Sequence, residues 1–203
     1  MAINYPKILV DIPKRAPMFS LEGIDGSGKS TQAQKIKKRL KSIGVKTVMV
    51  SSPTKGPIGR FLRKNLKTIE PWQKSTLFLL EMIYSLTKID ISSVLIWDRY
   101  IDSDIVSNED IDPEIAEKWI HPLPKPKRTF FLNITPDKII KNRQSSLHDH
   151  SINKNWQKLK YERYCDLIIK DPNRFINIDA TKSVGKITDE ILEIILKDLN
   201  IKA

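Results

Sequence analysis

Apolar residues along the chain form short continuous runs that alternate with longer segments of helical spacing. The runs predict buried strands at residues 17–21, 45–50, 94–97, 129–134 and 174–178. Apolar positions three and four residues apart predict helices between them, at 29–43, 58–66, 72–88, 113–120, 136–143, 156–170 and 183–199. This alternation predicts an α/β protein, in which helices cover both faces of a parallel sheet.

The chain is expected to form a single domain over residues 17–203, because it has no internal repeat and no low-complexity tract. Residues 1–16 precede the first strand and are interpreted as an N-terminal extension. Residues 144–155 are polar and lack periodicity, which indicates a loop between two helices.

Composition narrows the class of protein. Of the 203 residues, 40% are hydrophobic and 29% are charged, which is enough to bury a core. The single cysteine, Cys165, excludes an intramolecular disulfide and a zinc site built on several thiolates. The absence of a long apolar segment and of a signal-peptide pattern favours a cytoplasmic protein. The net charge of +11 suits anionic small substrates, nucleic acid or solubility alone.

The strongest chemical signal is the octet from Gly23 to Ser30, which fits G-x-x-x-x-G-K-[ST] between a predicted strand and a predicted helix. Glycines let successive backbone N–H groups surround an anion, and the helix adds its positive end. Lys29 is placed to meet the β- and γ-phosphates, and the Ser30 hydroxyl can join the shell of Mg²⁺. The predicted ATP-binding residues of this loop are Asp25, Gly26, Ser27, Gly28, Lys29, Ser30 and Thr31.

Asp98 directly follows the apolar run at 94–97. Because ligands bind beyond the carboxyl ends of parallel strands, Asp98 is predicted to be the second protein ligand of Mg²⁺. A helix cap or a salt bridge to Arg99 is the alternative interpretation.

Several further segments resemble the thymidylate kinase family, over roughly residues 18–199. The matching motifs are FSLEGIDGSGKSTQ at 19–32, D-R-Y-x-x-S at 98–103, LPKP at 123–126 and IDA at 178–180. The resemblance implies a three-layer P-loop fold whose five parallel strands have the order 2-3-1-4-5, with a lid at about 143–156. It also implies transfer of the γ-phosphoryl group of ATP to dTMP with Mg²⁺, a step of nucleotide biosynthesis toward dTTP, by a homodimer.

The resemblance assigns residues to the acceptor nucleotide. It implies that Asp25 faces the 3′-hydroxyl of the deoxyribose, Arg99 the acceptor phosphate and Tyr100 the sugar. Phe78 aligns with the aromatic residue on which thymine stacks. The catalytic residues that follow from the loop, the strand end and the resemblance are Lys29, Asp98, Arg99 and Arg143.

Met82 departs from the family pattern, in which an arginine at this position hydrogen-bonds the base. Methionine offers no donor to a base carbonyl, so selection for thymine is expected to weaken. A kinase for another nucleotide or nucleoside is therefore the first alternative. Two serines replace the arginine and glutamate that the family has before Pro53, which leaves Lys55 as a candidate phosphate contact.

A second departure concerns the arginine that the family places in the P-loop or the lid. Ser27 occupies the P-loop position, and residues 144–155 contain no arginine. Arg143, Lys154 and Arg163 are the candidates to replace it, with Arg143 expected to contact ATP. An ATP-binding regulatory or degenerate protein with little catalysis is the second alternative. A few positive groups are assigned to the phosphorylated substrates, and most of the remaining lysines are interpreted as solvated surface, so no nucleic-acid or membrane partner is expected.

Overall fold

The computed structural model describes residues 16–66, 68–90, 92–107, 112–120, 123–144 and 153–201, with the backbone alone at 119–120 and 141–144. Within these ranges the strands are β1 (Met18–Glu22), β2 (Thr47–Ser51), β3 (Val94–Asp98), β4 (Arg128–Asn133) and β5 (Phe175–Asp179). The helices there are α1 (Lys29–Ser42), α2 (Pro57–Asn65), α3 (Pro71–Lys88), α4 (Ile101–Ser107), α5 (Pro113–Ile120), α6 (Pro136–Gln144), α7 (Lys154–Lys170) and α8 (Val184–Asp198).

The strands form one sheet in the order β2-β3-β1-β4-β5, and every neighbouring pair is parallel. Every residue of β1 and β3 is buried, because both strands lie inside the sheet and helices cover both of its faces. The predicted fold class and strand order are confirmed.

Successive side chains of each strand point to opposite faces of the sheet and build two apolar clusters. On one face Phe19 and Ile96 pack in a cluster with Ile36 of α1 and Ile191 of α8. On the other face, residues such as Trp97 pack in a cluster with side chains of α3, α4 and α7. The two clusters hold the carboxyl ends of β1 and β3 together, where Leu21 is in register with Asp98. The chemistry-bearing motifs leave the sheet at this edge.

Three elements differ from the sequence expectation, of which β2 begins at Thr47, two residues after the expected start at residue 45. Helix α4 was not predicted, because its segment is half polar. Its Asp102 is buried and receives two hydrogen bonds from Arg174, of 2.7 and 2.9 Å. Helix α7 begins at Lys154, two residues before the expected Trp156, and the Asn153 side chain caps it by accepting from the Trp156 N–H at 3.1 Å.

Other expectations fall outside the described residues. These are most of the N-terminal extension, at 1–15, and residues 145–152 of the expected lid. Among the helices that the structure describes, none is long and apolar enough to cross a membrane.

Candidate active site

The loop between β1 and α1 requires glycine at both of its ends. At Gly23 φ is 140°, and an added Cβ would lie 2.9 Å from both the carbonyl oxygen of Leu132 and Ser27 Oγ. Gly28 has φ of 96° and precedes the first residue of α1. Strand, loop and helix thus follow one another as the phosphate-binding motif requires.

The Lys29 ammonium group lies inside this loop. It donates hydrogen bonds to the carbonyl oxygens of Gly23 (2.8 Å) and Ile24 (2.7 Å), and Ser27 Oγ lies 3.3 Å away. Burial, assisted by the positive charge of Arg99, lowers the pKa of Lys29 to about 7. The loop therefore holds a desolvated amino group whose hydrogen-bond acceptors are neutral and which is protonated in only part of the molecules near neutral pH.

Asp98 lies beside the loop at the end of β3, with its side chain buried. Oδ2 receives a long hydrogen bond from Ser51 Oγ, at 3.4 Å, whereas Oδ1 has no hydrogen-bond partner among the described residues. A buried carboxylate oxygen without a partner is unfavourable unless a cation or donor reaches it. The donor set of Asp98 and the Ser30 hydroxyl, both oxygen atoms, fits Mg²⁺.

Three charged side chains meet where the P-loop faces the segment after β3. Arg99 Nη2 forms an ion pair with Asp25 Oδ1, and Lys160 Nζ lies 2.9 Å from Asp25 Oδ2. Burial raises the pKa of Asp25, but the charges of Arg99 and Lys160 outweigh it and hold that pKa below its usual range. Arg99 has φ of 69°, a left-handed backbone that surrounding contacts must stabilise.

Glu22, the last residue of β1, supplies such a contact. Its Oε1 accepts a hydrogen bond of 2.8 Å from the N–H of Tyr100, and its Oε2 accepts from the hydroxyls of Ser103 and Tyr164. Burial, together with the charge of Asp102, raises the pKa of Glu22 to about 7. One buried carboxyl thus fixes the peptide that follows Arg99.

A cavity of about 360 Å³ opens beside the charged junction, a volume typical of small-molecule sites. Helix α3 contributes Phe78 and Met82 to its wall, and the P-loop contributes Asp25. Arg99 and Tyr100 line it from the segment between β3 and α4. Five residues predicted from separate parts of the sequence are therefore brought to one cavity.

The cavity wall also contains a half-buried carboxyl and a buried phenol. Burial raises the pKa of Asp104 to about 7, against the opposing effect of a hydrogen bond with Ser75. The Tyr100 ring packs on Trp97 at 4.4 Å between centroids, and its hydroxyl is buried with no hydrogen-bond partner in the described part of the chain.

A sequence profile of the thymidylate kinase family matches residues 21–191. The chain belongs to the thymidylate kinase family. A probable thymidylate kinase of Methanosarcina barkeri is 30% identical over 209 residues, which cover 92% of this chain and 98% of that protein. One of Methanosphaera stadtmanae is 29% identical over 194 residues, covering 89% and 98%. One of Sulfolobus acidocaldarius is 29% identical over 194 residues, covering 90% and 98%.

Membership of the thymidylate kinase family confirms that the chain is a phosphotransferase. It also confirms the family that the P-loop and the D-R-Y-x-x-S motif indicate. ATP-dependent phosphoryl transfer follows from that membership.

Some predicted site residues are not brought to the cavity. Lys55 is exposed and is not among the residues that line it. The side chain of Arg143, near the end of α6, lies outside what the structure describes, so its contact with ATP stays a prediction. Gly26 and Thr31 are exposed at the P-loop and on α1.

The residues that α7 contributes to the site belong to no motif of the sequence. Gln157 Nε2 donates to Asp25 Oδ2 at 2.8 Å, beside the contact from Lys160, and Trp156 lines the cavity. The positions 156, 160 and 164 share a helix face, which their spacing of four indicates. The sequence does not show that the neighbouring Gln157 and Lys160 contact Asp25, because these residues are more than a hundred positions apart.

Proposed function

We propose that this chain transfers the γ-phosphoryl group of ATP to dTMP, giving dTDP and ADP. The observation that carries the proposal is the cavity that brings Asp25, Arg99, Tyr100 and Phe78 together beside a phosphate-binding loop, in a chain of the thymidylate kinase family. The names of the relatives support dTMP as the acceptor. Nothing among the described residues favours either alternative function.

The reaction is an in-line displacement at phosphorus. An oxygen of the acceptor phosphate forms a bond to the γ-phosphorus, and the bond from that phosphorus to the oxygen bridging to the β-phosphate breaks. The electron pair of the broken bond stays on ADP, and a dianionic acceptor phosphate needs to release no proton. The protein's contribution is to position the two substrates and to neutralise their charge.

On the donor side, Lys29 and the backbone N–H groups of the P-loop bind the β- and γ-phosphates. To do so, the Lys29 ammonium exchanges the carbonyl oxygens of Gly23 and Ile24 for phosphate oxygens. Asp98 and Ser30 are the residues that would hold Mg²⁺, which when bound neutralises part of the phosphate charge. The unpartnered Asp98 Oδ1 supports this assignment.

On the acceptor side, Arg99 binds the phosphate and Asp25 accepts a hydrogen bond from the 3′-hydroxyl. The base lies against Phe78, with Met82 near its edge, and Tyr100 contacts the sugar. The ion pair between Arg99 and Asp25 supports this division, because it already joins the two groups that would bind opposite ends of the acceptor's deoxyribose phosphate.

The proposal extends to the organisation of the protein. Residues 17–203 form one kinase domain with a lid at about 143–156, in which Arg143 contacts ATP, and residues 1–16 form an extension. Free nucleotides as substrates fit an enzyme of the cytoplasm. The chain forms a homodimer, and exposed apolar side chains on α2 and α3, such as Phe61 (49% exposed) and Trp72 (55%), offer a surface for it. Light scattering on the purified protein tests the dimer.

A turnover assay tests the reaction. Purified protein with ATP, Mg²⁺ and dTMP should yield equal amounts of dTDP and ADP. Parallel reactions with dUMP, dCMP and the free nucleosides measure how strongly the protein selects dTMP. Selection is expected to be weak, because Met82 offers no hydrogen-bond donor to the base. Product with dTMP at no more than the background rate would overturn the assignment, and transfer to another acceptor would identify the alternative.

A further inference from the structure

Lys160 is a buried cation at the junction between the P-loop and the acceptor cavity. Its side chain is only 10% exposed, its Nζ lies 2.9 Å from Asp25 Oδ2, and it lines the same cavity as Arg99. The ammonium group also lies 5.3 Å from the centre of the Trp156 ring, which borders that cavity. A lysine is seldom buried to this degree without a charged partner.

Helix α7 holds this lysine at a fixed place relative to the P-loop. Gln157, one turn before Lys160, accepts a hydrogen bond of 2.9 Å from the backbone N–H of Asp25 and donates one of 2.8 Å to Oδ2 of the same residue. The backbone and the side chain of Asp25 are thus both bound to α7. Lys160 is therefore anchored to the loop that would carry the phosphates of ATP.

The charges at this junction do not cancel. Asp25 carries one negative charge and is paired at Oδ1 with Arg99 and at Oδ2 with Lys160. The three side chains together leave one positive charge in excess at a partly buried junction. Phosphoryl transfer spreads negative charge over the equatorial oxygens of the moving group, and a positioned cation stabilises that charge more strongly than it stabilises the bound substrates.

Two of the other cations that the sequence offers for this task, Lys154 and Arg163, have contacts of their own among the described residues. Lys154 is 64% exposed and pairs with Asp137 at 2.7 Å. Arg163 Nη1 donates to the carbonyl oxygen of Val106 at 3.3 Å. Ser27 is neutral and accepts from Lys29. Among the described side chains, Lys160 joins Arg99 and Lys29 as a cation held at the meeting point of loop and cavity.

We propose that Lys160 is a catalytic residue whose ammonium group contacts the transferred phosphoryl group in the transition state. The inference rests on the proposed function of the site. In the free protein Asp25 holds the ammonium group of Lys160 in place. With both nucleotides bound, the Asp25 carboxylate also accepts a hydrogen bond from the 3′-hydroxyl of the acceptor. The ammonium group of Lys160 can then contact the oxygens of the transferred phosphoryl group. The bonds made and broken are those of the displacement described above.

Steady-state kinetics of Lys160→Met and Lys160→Arg provide the first test. Loss of one cation that acts mainly in the transition state should lower kcat of Lys160→Met by about 10²- to 10³-fold. The KM for dTMP and the Kd of ATP should stay within about threefold, and Lys160→Arg should recover part of kcat. Lys158→Met is the matched control, because Lys158 lies on the same helix, is 71% exposed and should keep wild-type kinetics.

A transition-state complex provides a readout that a purely structural role would not change. ADP, dTMP and aluminium fluoride with Mg²⁺ form an analogue of the transition state, in which aluminium fluoride takes the place of the transferred phosphoryl group. Lys160→Met should lower the affinity for this analogue by about 10²-fold or more. Its affinity for dTMP alone and its Tm should match those of the wild type.

The two assays distinguish the possible failures. If wild-type protein transfers phosphate and Lys160→Met does so at an equal rate, the role of Lys160 is wrong and the proposed function stands. The same holds if the variant loses dTMP affinity or thermal stability in proportion to kcat, since Lys160 would then only position Asp25. If wild-type protein uses another acceptor from the panel, the tests of Lys160 are read with that acceptor. If it uses none, both proposals fail together.

Discussion

The hydroxyl of Tyr164 donates a hydrogen bond of 3.0 Å to Oε2 of Glu22, joining α7 to the end of β1 across 142 positions of sequence. The same carboxyl accepts from the N–H of Tyr100. The position of the backbone beside Arg99 therefore depends on a buried acid that is hydrogen-bonded to Tyr100 and Ser103 of the cavity lining.

Tyr164→Phe removes one donor from this buried carboxyl. The free energy of unfolding should fall by about 1 to 3 kcal/mol, because an acceptor that is fully buried loses a partner. Urea denaturation followed by circular dichroism measures the change. Tyr161→Phe serves as the control, since its hydroxyl bonds a partly exposed amide oxygen, Asn133 Oδ1, at 2.9 Å. Equal effects in the two variants would contradict the claim that the hydrogen bond from Tyr164 to the buried Glu22 carboxyl contributes more to stability than the one from Tyr161 to Asn133.

Tyr100→Phe should behave in the opposite way. The Tyr100 hydroxyl is buried with no hydrogen-bond partner among the described residues, which is unfavourable for the folded state. The variant removes this hydroxyl and keeps the aromatic ring packed on Trp97. The free energy of unfolding should stay the same or rise by about 1 kcal/mol. A loss as large as that of Tyr164→Phe would show that the hydroxyl has a partner in solution.

Asp104→Asn should change how stability depends on pH. Burial raises the pKa of Asp104 from its ordinary 3.8 to about 7 in the folded protein. Between these values the folded state binds more protons than the unfolded state, so the free energy of unfolding falls as pH rises from about 4 to about 7. The variant lacks this titration and should gain on the wild type by of the order of 2 kcal/mol across that window. Urea denaturation at pH 5 and pH 8 measures the difference, and parallel behaviour of the two proteins would refute it.

Lys29→Met should abolish useful turnover while the protein remains folded. Loss of a cation that binds the transferred phosphates should lower kcat/KM by about 10³-fold or more. A circular dichroism spectrum and a Tm close to those of the wild type separate this effect from unfolding. Activity within tenfold of the wild type would remove the P-loop lysine from the mechanism.

The fold could be predicted from the sequence because its signals are local. The buried strands are continuous apolar runs, and the residues after β1 and β3 carry motifs whose order fixes one edge of the sheet. Helix α4 could not be predicted, since the burial of Asp102 depends on Arg174, which is 72 positions away. Local apolar spacing cannot indicate a helix whose polar residues find partners in the interior.

The candidate site was predictable to the same extent. The motifs predict the places of Lys29, which begins α1, and of Asp98, which ends β3. Residues that reach the site from α7 were missed, because Lys160 and Gln157 belong to no motif and meet Asp25 only after the chain has folded. A missing arginine in the sequence indicated that a cation was needed, but only the tertiary contact identifies which side chain provides one.

The lowered pKa of Lys29 predicts that the protein takes up a proton when it binds ATP. With a pKa of about 7, the Lys29 amine is mostly neutral at pH 8 in the free protein, and the phosphates of ATP favour its charged form. Binding of ATP at pH 8 should therefore take up about one proton from the buffer, and far less at pH 6. Titrations in buffers with different ionisation enthalpies measure this uptake, which should vanish in Lys29→Met. Nucleotide binding and protonation are then a single event in this loop.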